Sequence, residues 1–285
     1  MVAAASPAFS APSEPVCART AALAALCERD PARKAETTRL LQAEVRSGAA
    51  VCRSAATFVE PQDLPGRPAR PELVEPRQLG RRSMQSPEGR AVLLHALAHI
   101  EFNAINLALD AVWRFAGMPT AFYVDWLKVA AEEAHHFSLL VARLAEFGHE
   151  YGDFPAHDGL WDMCDRTRDD VLARMALVPR TLEARGLDAS PPIRARLKQA
   201  GDDASAAILD VILRDEIGHV LIGNRWFRHL CDARALDPHT TYTLLAEQYK
   251  APKLRGPFNF AARRDAGFDE AELAALAGLD SPAAD

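Results

Sequence analysis

Two short stretches decide how this chain is read: Glu132-Glu133-Ala134-His135-His136 and Asp215-Glu216-Ile217-Gly218-His219. Each holds an acid followed by a Glu-x-x-His. Each is preceded by a lone glutamate at nearly the same distance: Glu101 stands 133 − 101 = 32 positions before Glu133, and Glu183 stands 216 − 183 = 33 before Glu216. That spacing fits two long antiparallel helices and a short turn, used twice. A four-helix bundle that holds two metal ions takes a glutamate from each of two helices and a Glu-x-x-His from each of the other two. The candidate ligands are Glu101, Glu133, His136, Glu183, Glu216 and His219.

Helical periodicity assigns the faces. The neighbours of Glu133 at three, four and seven positions include Trp126, Val129, Ala130, His136, Phe137 and Leu140, an apolar stripe. Glu132 shares its side with Asp125, Lys128 and His135, which is wetter. The ligands on this helix are therefore expected to be Glu133 and His136, with His135 a lesser candidate. Glu216 lies among Leu209, Ile212, Leu213 and Val220, and Glu101 among Leu94, Leu97, Ala98, Ile105 and Ala108. Glu183 has Pro179, Arg180 and Gly186 nearby, so only the matched spacing recommends it. Carboxylates on apolar stripes are costly to bury uncompensated, and two divalent cations would compensate them.

Asp215 and Glu132 immediately precede the ligand glutamates. A ligating imidazole normally gives its other N–H to a carboxylate, so Asp215 is expected to orient His136 and Glu132 to orient His219 across the bundle. The alternative is that both are solvated helix acids. His95 and His99 are four apart, and a rotation of ~100° per residue turns both away from the face of Glu101. They read as packing histidines, with a separate metal site as the alternative.

The rest of the chain frames this centre. Hydrophobic residues make up 49% of 285 positions and few segments favour strands, which points to an all-α fold with a sizeable core. Residues 1–18 read as a mobile N-terminus. Residues 19–87 read as a helical segment, broken near Asp30-Pro31, followed by a proline-rich arm on the bundle. Residues 88–285 read as the bundle with a C-terminal helical extension. Its helices are expected at 88–116, 120–147, 159–186 with a kink at Pro179, 202–232, 238–249 and 269–278, with a loop at 251–260. The formal charge of −6 argues against a protein dedicated to nucleic acid. Locally, Arg67, Arg70, Arg77, Arg81, Arg82 and Arg90 make one basic stretch. The cysteines Cys17, Cys27, Cys52, Cys164 and Cys231 are odd in number and lack C-x-x-C spacing. Neither a disulfide framework nor a zinc–thiolate site is expected, and a reducing cytoplasm is the natural setting. The start lacks the pattern of a signal peptide, and no apolar run approaches ~18 residues, so no membrane span is expected.

Leu94-His-Ala-Leu-Ala-His-Ile-Glu101, Glu132-Glu-Ala-His-His-Phe137, Glu183-Ala-Arg-Gly-Leu-Asp188, Asp215-Glu-Ile-Gly-His-Val220, Pro257-Phe-Asn-Phe-Ala-Ala-Arg263 and Ala266-Gly-Phe268 together resemble the ferritin-like superfamily in its di-iron carboxylate form. Within it the chain is most similar to an uncharacterised family, a domain of unknown function with distant similarity to tRNA-modifying di-iron hydroxylases. The resemblance covers about residues 60–275. It implies a ferritin-like four-helix bundle, two iron ions, dioxygen as reaction partner and a substrate of unknown identity, with nucleic acid such as tRNA among the candidates. A carboxylate-rich donor set with two histidines suits Fe(II) or Mn(II) better than copper or zinc. The expected function is an oxygen-dependent oxidoreductase. The alternatives are a non-catalytic metal-binding or storage protein and an interaction module with a vestigial site.

Overall fold

The computed structural model describes residues 15–79 and 84–280. The architecture is all-α, with one two-residue strand pair, β1 (Val16–Cys17) and β2 (Ala50–Val51), among the described residues. Two helices open it, α1 (Ala18–Cys27) and α2 (Pro31–Ser47). The break falls where Asp30 Oδ1 accepts the Arg33 N–H at 2.9 Å and Pro31 takes the first helical position, a strong start signal.

Two helical hairpins follow. The first joins α3 (Pro87–Arg114) to α4 (Thr120–Glu146) through residues 115–119. Ser86 caps α3 by accepting the Gly89 N–H at 3.1 Å, just before Pro87. The second joins α7 (Ala184–Gln199) to α8 (Asp203–Ala233), which Asp202 caps by accepting the Ser205 N–H at 3.0 Å. The hairpins meet where α4 packs along α8, while α1 covers α3 and α2 covers α4. Short helices α9 (Pro238–Gln248), α10 (Phe260–Asp265) and α11 (Glu270–Asp280) complete the chain. The expected loop at 251–260 thus ends in α10, whose start Asn259 caps by accepting the Ala262 N–H at 3.2 Å.

By length and composition α3 could span a bilayer, contrary to the expectation from its sequence, but 78% of its apolar window is buried inside the fold. Its apolarity serves the core. Ala98, Ile105, Leu109 and Val112 on it are all sealed from solvent.

The single helix expected at 159–186 is corrected. It is split into α5 (Gly159–Arg166), α6 (Val171–Leu177), a π-helical segment Val178–Glu183, and α7, which runs on to Gln199. Asp170 restarts the helix by accepting the Leu172 N–H at 2.9 Å. Pro179 has no N–H to return to the preceding turn, so the ladder widens to π spacing. Thr181 Oγ1 donates to the Ala176 carbonyl at 2.8 Å and satisfies part of the opened turn. Helix α7 passes through Gly186 and tolerates Pro191-Pro192. Pro191 cannot donate to the Leu187 carbonyl, and Asn259 Nδ2 donates to it instead at 3.2 Å. A long-range contact therefore replaces the missing helical bond, which local sequence does not reveal.

The proline-rich arm is tied down at several points. Gly66 N–H donates to Leu26 O at 2.8 Å, and an added Cβ there would lie 2.1 Å from Cys27 O. Val74 and Ala156 bond the arm to the loop after α4 at 2.8 Å. The buried Lys34 ammonium donates to Leu26 O, Gly66 O and Asn106 Oδ1 at 3.1, 2.8 and 2.5 Å, pinning α1, the arm and α3 together. Arg81, Arg82 and residues 1–14 lie outside the described residues. Of the arm's other arginines, Arg67 pairs with Asp158, Arg77 with Glu75 at 3.0 Å and Arg90 with Asp202 at 3.4 Å.

Candidate metal centre

Helices α3, α4 and α8 bring four donors together: Glu101, Glu133, His136 and Glu216 are buried, each offering a ligand atom within 4.8 Å of the others. The helical stripes that carry them explain the convergence, because Leu94, Ala98, Trp126, Val129, Leu209 and Ile212 bury the same faces. A buried cluster of glutamates and histidine able to hold a metal ion is the outcome.

His219, on the stripe of Glu216, is fully buried beside this group. Its Nδ1 lies 2.9 Å from Glu133 Oε1 and 3.8 Å from Glu216 Oε1. The His136 Nδ1 lies 3.4 Å from both Glu101 Oε2 and Glu133 Oε2. Both rings thus turn Nδ1 inward, with centroids 5.8 Å apart. Glu183, at the end of the π segment, stands apart from the four close donors. As a residue it keeps partial exposure, but its Oε2 is buried, and Glu216 and Glu133 act on it electrostatically.

The outward nitrogens are satisfied by carboxylates from the opposite helix. His136 Nε2 donates to Asp215 Oδ2 at 3.1 Å, and His219 Nε2 donates to Glu132 Oε2 at 3.0 Å. A carboxylate only accepts, so each ring carries a proton on Nε2 and turns Nδ1 to the cluster. A surface cation backs each acid: Arg214 reaches Asp215 at 2.8 Å and Lys128 reaches Glu132 at 2.8 Å. Sequence reasoning placed Lys128 on the side of Glu132 without giving it a role and passed over Arg214. Lys128 carried a signal in its i,i+4 spacing to Glu132, whereas Arg214 is simply adjacent to Asp215.

Inside, His136 Nδ1 reaches Glu133 Oε2 at 3.4 Å, while other polar atoms lack partners. Glu101 Oε2, Glu133 Oε1, Glu183 Oε2, Glu216 Oε2 and His219 Nδ1 are buried without a hydrogen bond. The short His219 Nδ1–Glu133 Oε1 approach lacks hydrogen-bond geometry, so both atoms count as orphans. Native proteins rarely leave such atoms unpaired, and those of Glu101, Glu133, Glu216 and His219 belong to residues gathered in one buried group. The donor set fits divalent ions that prefer oxygen and imidazole ligands.

The titration behaviour reflects the same crowding. Burial and then the charge of Glu133 push Glu101 well above the usual carboxylate range. Burial, then Glu216 and Glu133, do the same to Glu183, and burial with Glu133 raises Glu216. Burial also opposes charge on Glu133, but the charge of His219 beside it and the hydrogen bond from His136 outweigh it and hold Glu133 well below that range. Burial disfavours charged His136, yet Glu101 and Glu133 lift its pKa to about 11. The crowding thus favours charge on the carboxylate flanked by two imidazoles and disfavours it on the surrounding ones.

The other histidines lie elsewhere. His135 is exposed on α4. His95 and His99 face the loop after α4: His95 Nε2 accepts the Gly152 N–H at 2.9 Å, and His99 contacts Tyr151 Oη at 2.9 Å and the His157 carbonyl at 3.2 Å. They fasten that loop to α3.

The fold and this centre define an all-α protein with a buried carboxylate–histidine cluster able to hold metal. Residues 27–274 match the family described as Protein of unknown function (DUF455), and the chain belongs to that family. A relative from Haemophilus influenzae, described as an uncharacterized protein, is 50% identical over 223 residues, covering 75% of this chain and 77% of its own. No solved structure matches the chain.

Proposed function

We propose that the chain is a ferritin-like four-helix-bundle protein that binds two metal ions, iron foremost with manganese as the alternative, and that it is an oxygen-dependent oxidoreductase. The observation that supports this most is the contrast between filled outward atoms and orphaned inward ones. Both Nε2 atoms have carboxylate partners, while both Nδ1 atoms turn toward carboxylate oxygens that lack partners. The ligand set is Glu101, Glu133, His136, Glu183, Glu216 and His219. Its four glutamates bring four negative charges, which two divalent ions cancel.

Bound iron would supply electrons for the reduction of dioxygen. The chain's residues set the conditions. Asp215 and Glu132 hold the imidazoles in one tautomer and orientation. Glu133 lies between both rings, and its carboxylate would help hold bound metal. Glu133, His136 and His219 are sealed, whereas Glu101 and Glu216 keep 4% and 7% exposure, so solvent meets the cluster at their edge.

The substrate is small or carried on a larger molecule. A nucleic-acid substrate such as tRNA rests on the basic stretch Arg67–Arg90. The acid partners of Arg67, Arg77 and Arg90 favour a structural role for that stretch. A reducing, cytoplasmic setting fits the five free cysteines.

The test is anaerobic purification, loading with Fe(II), elemental analysis and stopped-flow absorbance on mixing with oxygen. The expected result is about two ions per chain and an oxygen-dependent absorbance change. Absence of bound iron or manganese rejects the metal centre. Bound metal that is inert to oxygen rejects the oxidoreductase and leaves a storage or scaffold role.

A further inference from the structure

Glu183 closes the π segment Val178–Glu183 and stands outside the close group of Glu101, Glu133, His136 and Glu216. Where that segment is held therefore decides whether Glu183 can serve a metal ion with them. The C-terminal extension grips the chain on both sides of Glu183.

Two buried arginines make the grip. Arg180, in the π segment, pairs with Glu272 on α11 and donates from Nη1 to Asn224 Oδ1 at 3.0 Å. Asn224 in turn donates from Nδ2 to the Ala266 carbonyl at 2.8 Å. The Arg180 guanidinium lies 4.7, 4.8 and 5.2 Å from the ring centres of Phe227, Tyr242 and Phe268. Arg263, on α10, holds the chain that follows Glu183. Its Nε and Nη2 donate to Asp188 Oδ1 and Oδ2 at 3.0 and 2.6 Å, and Nη2 also reaches the Ala184 carbonyl at 3.4 Å. The Asn259 N–H donates to the same Asp188 Oδ1 at 2.8 Å.

Phe268 links the two arms of the grip, because its ring centre is 5.2 Å from the Arg263 guanidinium as well. Ala184 and Leu187, just after Glu183, are sealed in one apolar cluster with Ala262, Ala266, Phe268 and Leu273. The Arg180–Glu272 pair keeps only 3% and 8% side-chain exposure. At that burial, lost hydration offsets much of the Coulomb gain, so added stability is a poor account of the pair. The two oxygens of Asp188 facing Arg263 fix direction as well as distance.

We propose that Arg180 and Arg263 are positioning residues for Glu183. Docking of residues 259–272 and filling of the metal position that Glu183 serves then stabilise one another. The inference rests on Glu183 being a metal ligand, as argued above. The coupling is reciprocal: whatever the ion gains from the docked extension, the docked extension gains from the ion.

The full-length chain is loaded anaerobically with Fe(II) or Mn(II), and amide hydrogen exchange is compared with the metal-free protein. Metal should slow exchange in residues 180–188 and 260–273 by about 5-fold or more, the lower end of usual coupling factors. Helix α1, which covers the ligand-bearing α3, reports general stabilisation and should change less. Glu272→Gln keeps an oxygen for the Asp269 N–H and removes the charge facing Arg180. In that variant a chelator should strip one ion at a lower concentration than in the parent, while the other ion holds. With Mn(II), its magnetic resonance spectrum should move from that of a coupled pair toward that of isolated ions. Arg228→Gln touches the same carboxylate from the solvent side and should keep both ions. Metal binding with exchange in 260–273 unchanged, full metal retention in Glu272→Gln, or equal loss in Arg228→Gln overturns the positioning role and leaves the centre standing. A parent chain that binds no metal rejects the centre, and this inference with it. The exchange comparison needs no variant, so a folding defect in Glu272→Gln leaves it decisive.

Discussion

Asp215 Oδ2 accepts the His136 Nε2 proton at 3.1 Å although the two residues belong to different hairpins and lie 79 positions apart. The bond sets which nitrogen of His136 faces the cluster, and Arg214 holds the carboxylate in place from the solvent side. Removing the acceptor frees the ring to rotate and to change tautomer. Asp215→Ala should weaken metal binding by about 10–100-fold, the usual cost of losing such a support. Competition titration against a chelator measures it, and unchanged affinity would remove Asp215 from the centre.

Within α4, His136 is sealed and His135 is exposed. His136→Ala should abolish metal loading, whereas His135→Ala should leave both the stoichiometry and the melting temperature near those of the parent. Elemental analysis of the two purified variants decides. Equal losses would mean that the inward face has been misassigned.

The metal-free protein should lose stability as pH rises. Glu101, Glu183 and Glu216 have folded pKa values raised by burial and neighbouring charge, so the folded state holds protons that the unfolded state releases above about pH 4.5. His136, raised to about 11, adds stability that is complete below the unfolded value of 6.5 and is lost as pH climbs through 11. All four act in the same direction. Metal ions replace those protons, so stabilisation by metal should grow between pH 6.5 and 9. Thermal melts with and without metal across that range check this. Glu101→Gln with Glu216→Gln should narrow the gap, and a gap independent of pH would contradict the crowding argument.

His99 has the opposite sign at acid pH. Burial first, then His95, depress its pKa to about 4. The unfolded state binds its proton at 6.5 and the folded state does not, so this contribution is complete above pH 6.5 and is lost as pH falls through 4. The full shift corresponds to about 3 kcal/mol. Denaturant melts of His99→Phe should show a weaker fall in stability between pH 6.5 and 4 than the parent shows.

Gly223 on α8 lies against Pro179, and a Cβ at Gly223 would come within 2.5 Å of the proline ring. Gly223→Ala should cost about 1–3 kcal/mol through overpacking. It should also displace the π segment that carries Glu183 and reduce the occupancy of one metal position more than the other. Chemical denaturation and metal counting read the two effects. A stable variant with full metal content would show that the segment can yield.

Much of the cluster was legible because helical period and residue type suffice for it. The apolar stripes around Glu101, Glu133 and Glu216 define inward faces whatever the packing partner, and the structure places all three in the buried group. The pairing of Asp215 with His136 and of Glu132 with His219 was also readable, since each acid lies one residue before an inward glutamate and so points at the neighbouring helix. Glu183 was legible only as a spacing, and its stripe was obscured by Pro179.

The sequence by itself determined the helical fold, the first hairpin and the inward stripes, because period and caps act over a few residues. Tertiary structure decided the rest. The π turn before Glu183 depends on Gly223 leaving room for Pro179. Passage of α7 through Pro191 depends on Asn259 reaching the Leu187 carbonyl. The anchoring of α1 against the end of α3 depends on Arg19 reaching the carbonyls of Ser54, Ala56 and Trp113. Each of these joins residues distant in sequence, and their free energy comes from contacts that exist only once the helices have packed.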